Sequence, residues 1–283
     1  MRIAIVGPGS VGSSFAYRFS LAGHDVTVIA RTKRLEQLAR DGAVVSTAGQ
    51  PAKVTVADKL DSTVEWDFVL VTVLAAQVDA VMPSLIDSRA KAIMFMFNTF
   101  EPLDALRDAV GAHRFAFGFP AVLASLSDGK LTHEFFSVGQ ITTVSDAQWV
   151  PVFNAAGIPT VAHPDMHAWL RCHAAFVAPL MALGARVFAT KRGVSITEAG
   201  TFARAFKDGF RLVRFLGHAL TPTAIRFMAV LPQFMVAFLF FWMSRSRVMR
   251  ELGAMGPGEA RTLIDSMQRA APDHATSLVA IRP

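Results

Sequence analysis

The chain has 283 residues, of which 52% are hydrophobic and only 18% are charged. This composition excludes a disordered protein, and the length favours two folded domains over one. The formal net charge is +6. Because the sequence has neither a zinc-finger spacing nor a basic low-complexity arm, we expect no nucleic acid partner.

The first thirty residues predict a strand, a glycine-rich turn, a helix and a second strand. Ile3–Val6 is a short apolar run typical of a strand that is buried on both faces. The sequence G-P-G-S-V-G follows at residues 7–12, before the predicted helix Ser13–Ala22 and the second strand Val26–Ala30. A glycine motif at this position of a βαβ unit indicates a dinucleotide-binding site.

Each glycine of the motif has a physical role in binding a dinucleotide. Gly7 permits the tight turn, Gly9 lets a pyrophosphate approach the backbone, and Gly12 lets the helix pack closely against the strand. The N-terminus of the helix supplies N–H groups and partial positive charge to the phosphates. The motif residues predicted to bind the cofactor are Gly7, Gly9, Ser10, Val11 and Gly12.

The residues after the second strand indicate which dinucleotide binds. Proteins that bind NAD usually place an acidic residue there to hold the ribose 2′-hydroxyl. This chain instead has Arg31, Lys33 and Arg34 at that point and no acidic residue until Glu36. Because cations suit a 2′-phosphate, the sequence favours NADP(H), bound by these three side chains. The alternative is that they form the solvated start of a basic helix.

The rest of the first half alternates strands with helices. Such alternation predicts a doubly wound parallel sheet, so we expect the fold class to be α/β. Strands are predicted at Lys53–Ala57, Phe68–Val73, Ala92–Phe97 and Phe115–Phe119, and helices at Lys33–Asp41, Val78–Ile86 and Pro102–Val110.

Four segments of the chain have counterparts in one enzyme family. They are residues 7–12 with A-G-H-D-V-T-V-I-A-R downstream, V-T-V-L-A-A-Q at 71–77, F-N-T-F at 97–100 and A-A-G-I at 155–158. Together they resemble the ketopantoate reductase (2-dehydropantoate 2-reductase) family, and the similarity extends with gaps along nearly the whole chain. The resemblance implies a Rossmann domain followed by an all-helical domain, and reduction of 2-dehydropantoate to pantoate with NADPH. It also implies that Gln77 and Asn98 belong to the cofactor site, with Asn98 contacting the nicotinamide ribose and the substrate.

The chain departs from that family at the start of its helical half. Family members carry W-x-K-x-x-x-N-x-x-x-N-P there, and the lysine and asparagines share one helix face. The stretch from Trp169 to Pro179 keeps neither the lysine nor the asparagines, and Arg171 occupies the lysine position when Trp169 is aligned. An arginine can bind a carboxylate and polarise a carbonyl group, but it is a poor proton donor.

Two other residues are candidates for a role in proton transfer or substrate binding. His173 lies two residues after Arg171, and the alternative is that it is a hydrogen-bonded structural histidine. Glu259 resembles a family glutamate that contacts the substrate hydroxyls, and the alternative is a glutamate that the helix dipole favours near a helix start. We therefore predict Arg171, Glu259 and His173 as the catalytic residues.

The single cysteine, Cys172, excludes an internal disulfide and fits a reducing compartment. It lies near His163, His167 and His173, but Pro164-Asp165 marks a helix start more simply than a zinc site, so we expect no metal.

The N-terminus lacks the apolar core of a signal peptide, which favours a cytoplasmic protein.

The second half of the chain combines a basic helix with an apolar run. Glu198–His218 predicts one amphipathic helix, and its basic stripe consists of Arg204, Lys207, Arg211, Arg214 and His218. Phe227–Met243 follows, with seventeen residues, no charge and an interruption at Pro232-Gln233. Three alternatives remain open for this run: a buried helix or subunit interface, which we favour, attachment to a membrane surface, or a membrane span.

These observations combine into a two-domain prediction. Residues 1–163 form an NADP-binding Rossmann domain, and residues 164–283 form a helical domain for substrate binding and dimerisation as a homodimer. Since the second range holds 15 basic and seven acidic residues, it suits a small anionic 2-oxo acid as substrate. The predicted activity is NADPH-dependent reduction of that acid. The alternatives are a reductase of a different carbonyl compound, or a catalytically inactive NADP-binding protein that associates with a membrane.

Overall fold

The computed structural model describes residues 1–254 and 257–283, which divide into two compact units. Unit 1 comprises Met1–Asn98 and Leu103–Met166. Unit 2 comprises Thr99–Pro102 and His167–Pro283. The four-residue segment Thr99–Pro102 thus packs with the helical part of the chain, although it lies between two elements of the first half.

Unit 1 alternates strands with short helices. Its helices are α1 (Ser10–Leu21), α2 (Thr32–Asp41), α3 (Met82–Ile86), α4 (Asp104–Val110) and α5 (Trp149–Ala155). Its strands are β1 (Arg2–Val6), β2 (Asp25–Ile29), β3 (Ala43–Val44), β4 (Ala52–Lys53), β5 (Thr55–Ala57), β6 (Glu65–Trp66), β7 (Phe68–Val71), β8 (Arg89–Ala90), β9 (Ile93–Met96), β10 (Phe115–Phe119), β11 (Val122–Ser127), β12 (Lys130–Phe135), β13 (Thr142–Val144) and β14 (Thr160–Ala162).

The main sheet has the strand order β14-β13-β10-β9-β7-β1-β2-β5. Neighbouring strands from β5 through β10 are parallel, whereas β13 is antiparallel to β10 and parallel to β14. The predicted α/β class with a Rossmann-like, mostly parallel sheet is confirmed. The chain leaves β1 towards β2 on one side and returns to β7 on the other, so the switch point of the sheet lies directly at β1.

Phenylalanine rings fill the core of unit 1. Phe15 and Phe19 lie one turn apart on α1, and both are fully buried. Phe19 contacts Phe153 of α5 edge to face, with ring centroids 5.2 Å apart, and Phe68 of β7 stacks on Trp149 at 4.5 Å. Phenylalanine has no hydroxyl that needs a buried hydrogen-bond partner, which explains how one tyrosine suffices for this aromatic core.

A β-hairpin formed by β11 and β12 is a feature that the sequence analysis missed. Its turn is Asp128-Gly129, and both residues have positive φ, 48° and 79°. An Asp-Gly pair is typical of the tight turns that join antiparallel strands, so the sequence did contain a signal for this hairpin.

Unit 2 is helical, as the resemblance implied. Its helices are α6 (Met166–Thr190), α7 (Ile196–Phe215), α8 (Thr223–Val230), α9 (Gln233–Met243), α10 (Arg247–Ala254), α11 (Gly258–Ala270) and α12 (Thr276–Val279). The helix predicted at Glu198–His218 begins two residues earlier, because Ser195 and Glu198 form a capping box. It ends at Phe215, so His218 belongs to the loop that follows and not to a helical basic stripe.

The core of unit 2 depends on close packing around α7 and α6. Phe206 of α7 contacts Phe240 of α9 edge to face, with ring centroids 5.4 Å apart. The backbones of α6 and α10 meet at Gly184 and Gly253, where a Cβ on Gly253 would lie 2.1 Å from the Gly184 carbonyl oxygen. Only glycine permits this approach.

The apolar run Phe227–Met243 does not form a single buried helix, and the subunit interface, which was the other part of the interpretation that we favoured, stays a prediction. The run is divided between α8 and α9, which are bent by 107° at a short break, because Pro232 lacks the N–H needed to continue α8. α9 buries one side and exposes the other. Among the described residues, α6 is the one unbroken helix long and apolar enough to cross a membrane, and 67% of its apolar window is buried in the protein.

Candidate functional site

The glycine-rich loop between β1 and α1 has no room for side chains at two of its glycines. Gly7 has φ +87°, and a Cβ there would lie 2.6 Å from Cγ1 of Val73. At Gly12 a Cβ would lie 2.3 Å from Oγ1 of Thr72 and 2.5 Å from the carbonyl oxygen of Gly7. The loop is therefore compressed against the end of β7 in a way that only glycine allows.

Gly9, in contrast, faces open space. No heavy atom lies within 4 Å of a Cβ placed there, and Gly9 is the N-cap of α1. The first hydrogen bond of α1 runs from the N–H of Ser13 to the carbonyl oxygen of Gly9, so the N–H groups of Ser10, Val11 and Gly12 precede it. A helix N-terminus with an open glycine in front of it is a fitting cradle for a pyrophosphate.

Two side chains that surround the loop hold it in shape. Thr72 Oγ1 donates a hydrogen bond to the carbonyl oxygen of Gly7 at 2.8 Å. Arg34 donates from Nε to the carbonyl oxygen of Pro8 at 3.0 Å and from Nη2 to Oγ of Ser13 at 2.7 Å. Burial lowers the pKa of Arg34. Thr72 and Ser13 were not predicted from the sequence as site residues, and Arg34 was predicted to contact the 2′-phosphate alone.

Arg31 and Lys33 follow β2 and are both exposed. The Nη2 atom of Arg31 donates a hydrogen bond to the carbonyl oxygen of Ala80 at 3.5 Å, which holds the side chain against the segment that follows β7. Thr32 between them has φ 48°, a left-handed conformation that a β-branched residue rarely adopts. The end of β2 thus presents two cations from a strained turn.

Gln77 and Asn98 lie after neighbouring strands at the same carboxyl edge of the sheet. Gln77 ends a 3₁₀ turn after β7, and its Oε1 accepts a hydrogen bond from the N–H of Leu74 at 3.2 Å. Asn98 follows β9 by two residues and is partly buried. Because β1, β7 and β9 are parallel neighbours, the sheet brings the glycine loop, Thr72 and Asn98 to one edge.

Arg171 is buried in unit 2, with 7% of its surface exposed. Its Nε donates to the carbonyl oxygen of Phe100 at 3.3 Å, its guanidinium lies 5.2 Å from the Phe100 ring centroid, and its Nη1 lies 2.6 Å from Nε2 of His218. Burial lowers the pKa of Arg171, while the charge of Glu101 opposes that shift. Arginine can only donate, so Nε2 of His218 is the acceptor and carries no proton. His218 was predicted from the sequence to lie on the basic stripe of an amphipathic helix.

His173 stacks on Trp169, with ring centroids 5.2 Å apart and an interplanar angle of 4°. Burial lowers the pKa of the His173 imidazole to about 3. The ring is therefore neutral near pH 7, where it can donate a hydrogen bond but cannot act as an imidazolium acid. Glu259, the third predicted catalytic residue, is exposed in the first turn of α11. Within residues 1–254 and 257–283, no three or more His, Cys, Asp or Glu side chains are grouped to hold a metal ion.

Sequence comparisons connect the chain to reductases. The family model described as ketopantoate reductase PanE/ApbA matches residues 3–146, just over half of the chain. A 2-dehydropantoate 2-reductase of Vibrio cholerae serotype O1 is 28% identical over 160 residues, which cover 56% of this chain and 49% of that protein. The chain thus matches about half the length of this curated relative.

Several solved structures share the fold over the whole chain. A PanE/ApbA family ketopantoate reductase from Ralstonia eutropha JMP134 has a TM-score of 0.75 at 19% identity, covering 100% of this chain and 97% of that one. A 2-dehydropantoate 2-reductase from Methylococcus capsulatus has a TM-score of 0.71 at 14% identity, covering 100% of this chain and 94% of that one. D-mandelate dehydrogenase with NADH and anilino(oxo)acetate has a TM-score of 0.69 at 12% identity, covering 100% of this chain and 98% of that one.

Proposed function

Because the chain belongs to the ketopantoate reductase PanE/ApbA family, we propose that it is an NADPH-dependent reductase of a small anionic 2-oxo acid, with 2-dehydropantoate as the first candidate. One observation carries the proposal. Within the matched residues, Gly9 faces open space at the N-terminus of α1, while Gly7 and Gly12 admit no side chain. This arrangement fits a dinucleotide pyrophosphate that lies against the backbone.

NADP(H) is the proposed dinucleotide, because Arg31 and Lys33 supply exposed positive charge after β2. Arg34 contributes differently, since its guanidinium supports the loop through Pro8 and Ser13. When bound, the reduced nicotinamide supplies a hydride to the substrate carbonyl. Asn98, at the same edge of the sheet, is the proposed contact to the nicotinamide ribose and the substrate, and Gln77 supports the turn beside it.

Arg171 is the proposed electrostatic partner of the substrate. Among the contacts of the described residues, two of its N–H groups bond to Phe100 and His218, which leaves the others to bind a carboxylate or polarise the carbonyl oxygen. His173 is proposed as a neutral hydrogen-bond donor, and Glu259 as a contact to the substrate hydroxyls. Since arginine and neutral histidine are both poor acids, water is the proposed final proton source.

A reductase of a different 2-oxo acid is the second candidate, and the burial of α6 favours it. Ala175 stands at a family asparagine position when Trp169 is aligned with the family tryptophan, and Ala174 and Ala178 stand there when Pro179 is aligned with the family proline. All three alanines are fully buried. Ala175 packs against Gly209 of α7. The side chains at these positions are therefore part of the helical core, so recognition of the substrate must use other groups. The structurally similar D-mandelate dehydrogenase, which was solved with NADH and anilino(oxo)acetate, suggests that aromatic 2-oxo acids belong in the test.

The test is NADPH oxidation by the purified full chain with 2-dehydropantoate and a panel of aliphatic and aromatic 2-oxo acids. We expect Arg171→Ala to lower kcat/KM by about 100-fold, because it removes a charged donor to the developing alkoxide or to the carboxylate. Arg192→Ala, at an exposed position of the same unit, is the matched control and should not change turnover. NADPH binding without turnover of any acid would refute the reductase and leave an inactive NADP-binding protein.

Cofactor preference has its own test. Arg31→Ala should weaken NADPH binding about 10-fold or more and leave NADH binding unchanged, because only NADPH has the 2′-phosphate. Arg107→Ala on α4 is the control for removing an exposed positive charge. Equal affinities of the parent protein for NADPH and NADH would contradict the preference. The homodimer and the cytoplasmic location stay predictions, and light scattering would measure the first.

A further inference from the structure

The outer side of α9 is a surface that the proposed reductase does not use. Gln233–Met243 is an eleven-residue helix without a charged residue. Its inner side, Val236, Ala237 and Phe240, is buried against unit 2. The packing of α9 on α7 therefore uses only one side of a helix whose residues after Gln233 are all apolar.

The other half of α9 is exposed. Phe234, Phe238 and Trp242 recur every four residues and so form one stripe, with 74%, 58% and 59% of their surfaces exposed. The Phe238 and Trp242 rings contact each other edge to face, with centroids 6.1 Å apart. Met235 and Leu239 flank the stripe and are 46% and 44% exposed.

The exposed area is larger than an ordinary surface patch. Phe227 of α8 is also 65% exposed, and with the three aromatic residues of the α9 stripe it presents about 500 Å² of ring surface. Folded monomers rarely expose apolar patches above a few hundred Å² unless a partner covers them. A partner of some kind is therefore expected on this face.

The charges in the part of the chain that contains α8 and α9 indicate the partner. Between Asp208 and Glu251 the chain has six arginines and no acidic residue. Two of the six form ion pairs, Arg211 with Asp208 and Arg247 with Glu251. In the described part of the chain, the other four form no ion pair; they are Arg214, Arg226, Arg245 and Arg250.

A second copy of the chain fits this charge pattern poorly. A two-fold dimer places the same surface against itself, so arginines that flank the apolar face would meet arginines. Such a contact between like charges is unfavourable. An anionic surface instead offers a negative partner to every arginine.

We propose that α8 and α9 form a peripheral binding surface for anionic lipid bilayers, the arginine-flanked face. On this face the aromatic side chains enter the boundary between headgroups and acyl chains, and the flanking arginines contact lipid phosphates. Arg245 already lies against the ring of Phe241, with its guanidinium carbon 3.7 Å from the ring centroid, at the end of the apolar stripe. Aromatic rings beside arginines suit the interfacial region of a bilayer.

The geometry restricts this contact to the bilayer surface. α9 has 11 residues and α8 has 8, so neither approaches the length of about 20 residues that a span requires. The bend of 107° between them prevents them from acting as one straight helix. α9 therefore lies in the plane of the interface, with its inner side still packed on α7.

Vesicle flotation of the full chain tests the proposal directly. The vesicles contain phosphatidylcholine alone, or phosphatidylcholine and phosphatidylglycerol in equal amounts. We expect flotation with the anionic vesicles at low salt, little with the neutral ones, and release at about 1 M salt, where the Debye length is about 3 Å. Absence of binding to anionic vesicles, or equal binding to both, would overturn the proposal.

Tryptophan fluorescence locates the contact. Of the four tryptophans, Trp66, Trp149 and Trp169 are at most 7% exposed, whereas Trp242 is 59% exposed. Anionic vesicles should therefore shift the emission to shorter wavelength and protect it from iodide, and Trp242→Phe should abolish both effects. If the shift persists in Trp242→Phe, the contact lies elsewhere and the proposal is wrong.

Paired variants separate this surface from general effects. The double variant Phe234→Ser with Phe238→Ser should lower vesicle partitioning by about 10-fold or more. Its matched control is Phe136→Ser with Val138→Ser in unit 1, which removes 41% and 85% exposed side chains and should have no effect. Arg250→Gln should lower partitioning about fivefold, the equivalent of about 1 kcal/mol for one interfacial arginine.

Light scattering tests the alternative that a second copy of the chain covers this face. If the parent is a dimer and the Phe234→Ser and Phe238→Ser variant is a monomer, a second copy covers the face and the proposal fails. If the parent protein and the double variant have the same molar mass in solution, that result supports the proposal. These measurements do not depend on NADPH or turnover, so their failure and that of the proposed reductase are distinguishable.

Discussion

Two alanine substitutions in the glycine loop should have different consequences. At Gly12, a Cβ would lie 2.3 Å from Thr72 Oγ1 and 2.5 Å from the backbone oxygen of Gly7, closer than real Cβ contacts. The Thr72 side chain can rotate, but the Gly7 oxygen moves only with the loop. Gly12→Ala should therefore destabilise the protein by about 1–3 kcal/mol, the usual cost of overpacking.

At Gly9 the same methyl group meets no heavy atom within 4 Å. Gly9→Ala should thus change the stability by no more than about 0.5 kcal/mol. It should nevertheless weaken NADPH binding by about 10-fold or more, because the methyl group occupies the space in which the pyrophosphate would approach the backbone. Gly12→Ala should lose both stability and binding, because it displaces the loop itself.

Thermal unfolding followed by circular dichroism measures stability, and fluorescence titration with NADPH measures binding. Each kcal/mol of lost stability lowers Tm by about 2–4 °C, so the expected fall in Tm for Gly12→Ala is measurable. Gly9→Ala should unfold at the same temperature as the parent protein. Gly258→Ala, at an open position in unit 2, controls for both readouts. Unchanged NADPH affinity in Gly9→Ala would refute the cradle, and an unchanged Tm in Gly12→Ala would refute the packing argument.

Three further predictions concern the helices of unit 2. Gly200→Ala on α7 should stabilise the protein by about 0.5–1 kcal/mol, because its methyl group meets open space and alanine favours helix; a lower Tm would contradict this. Gly253→Ala should lower the stability to urea by about 1–3 kcal/mol, because its Cβ would lie 2.1 Å from the Gly184 oxygen; an unchanged midpoint would argue against that contact. Hydrogen bonds from Ser195 contribute most to lowering the pKa of Glu198 from 4.5 to about 2. A carboxyl with a lowered pKa stabilises the fold above its unfolded pKa and loses that contribution as the pH falls. The Tm difference between the parent and Glu198→Gln should therefore be largest near neutral pH and shrink between about pH 5 and pH 2; a constant difference would count against this hydrogen-bonded carboxylate.

Local patterns were enough to predict most of the parallel sheet. Buried strands such as Phe68–Val71 are uninterrupted apolar runs, and the glycine motif marks where β1 ends. The antiparallel strand Thr142–Val144 was missed because three residues have no readable period. Its place beside β10 depends on a pairing partner more than twenty residues away.

The candidate site was predictable to different degrees in its two parts. Gly7, Gly9 and Gly12 could be identified because each role depends on backbone geometry that glycine alone permits. The hydrogen bonds of Arg34 and the contact of Arg171 with His218 could not, because 21 and 47 residues separate those partners. No periodicity in the chain indicates which distant side chains a cation will meet.

The sequence by itself determined the alternation of strands and helices up to β10, the glycine loop and the excess of arginine in the second half, because these features depend on neighbouring residues. Only the tertiary structure decided which apolar residues are covered. Val236 and Phe238 belong to the same uncharged helix, yet one is 2% exposed and the other 58% exposed. Packing against α7 makes that difference, since a helix that is apolar from Phe234 to Met243 has no polar pattern to indicate its inner side.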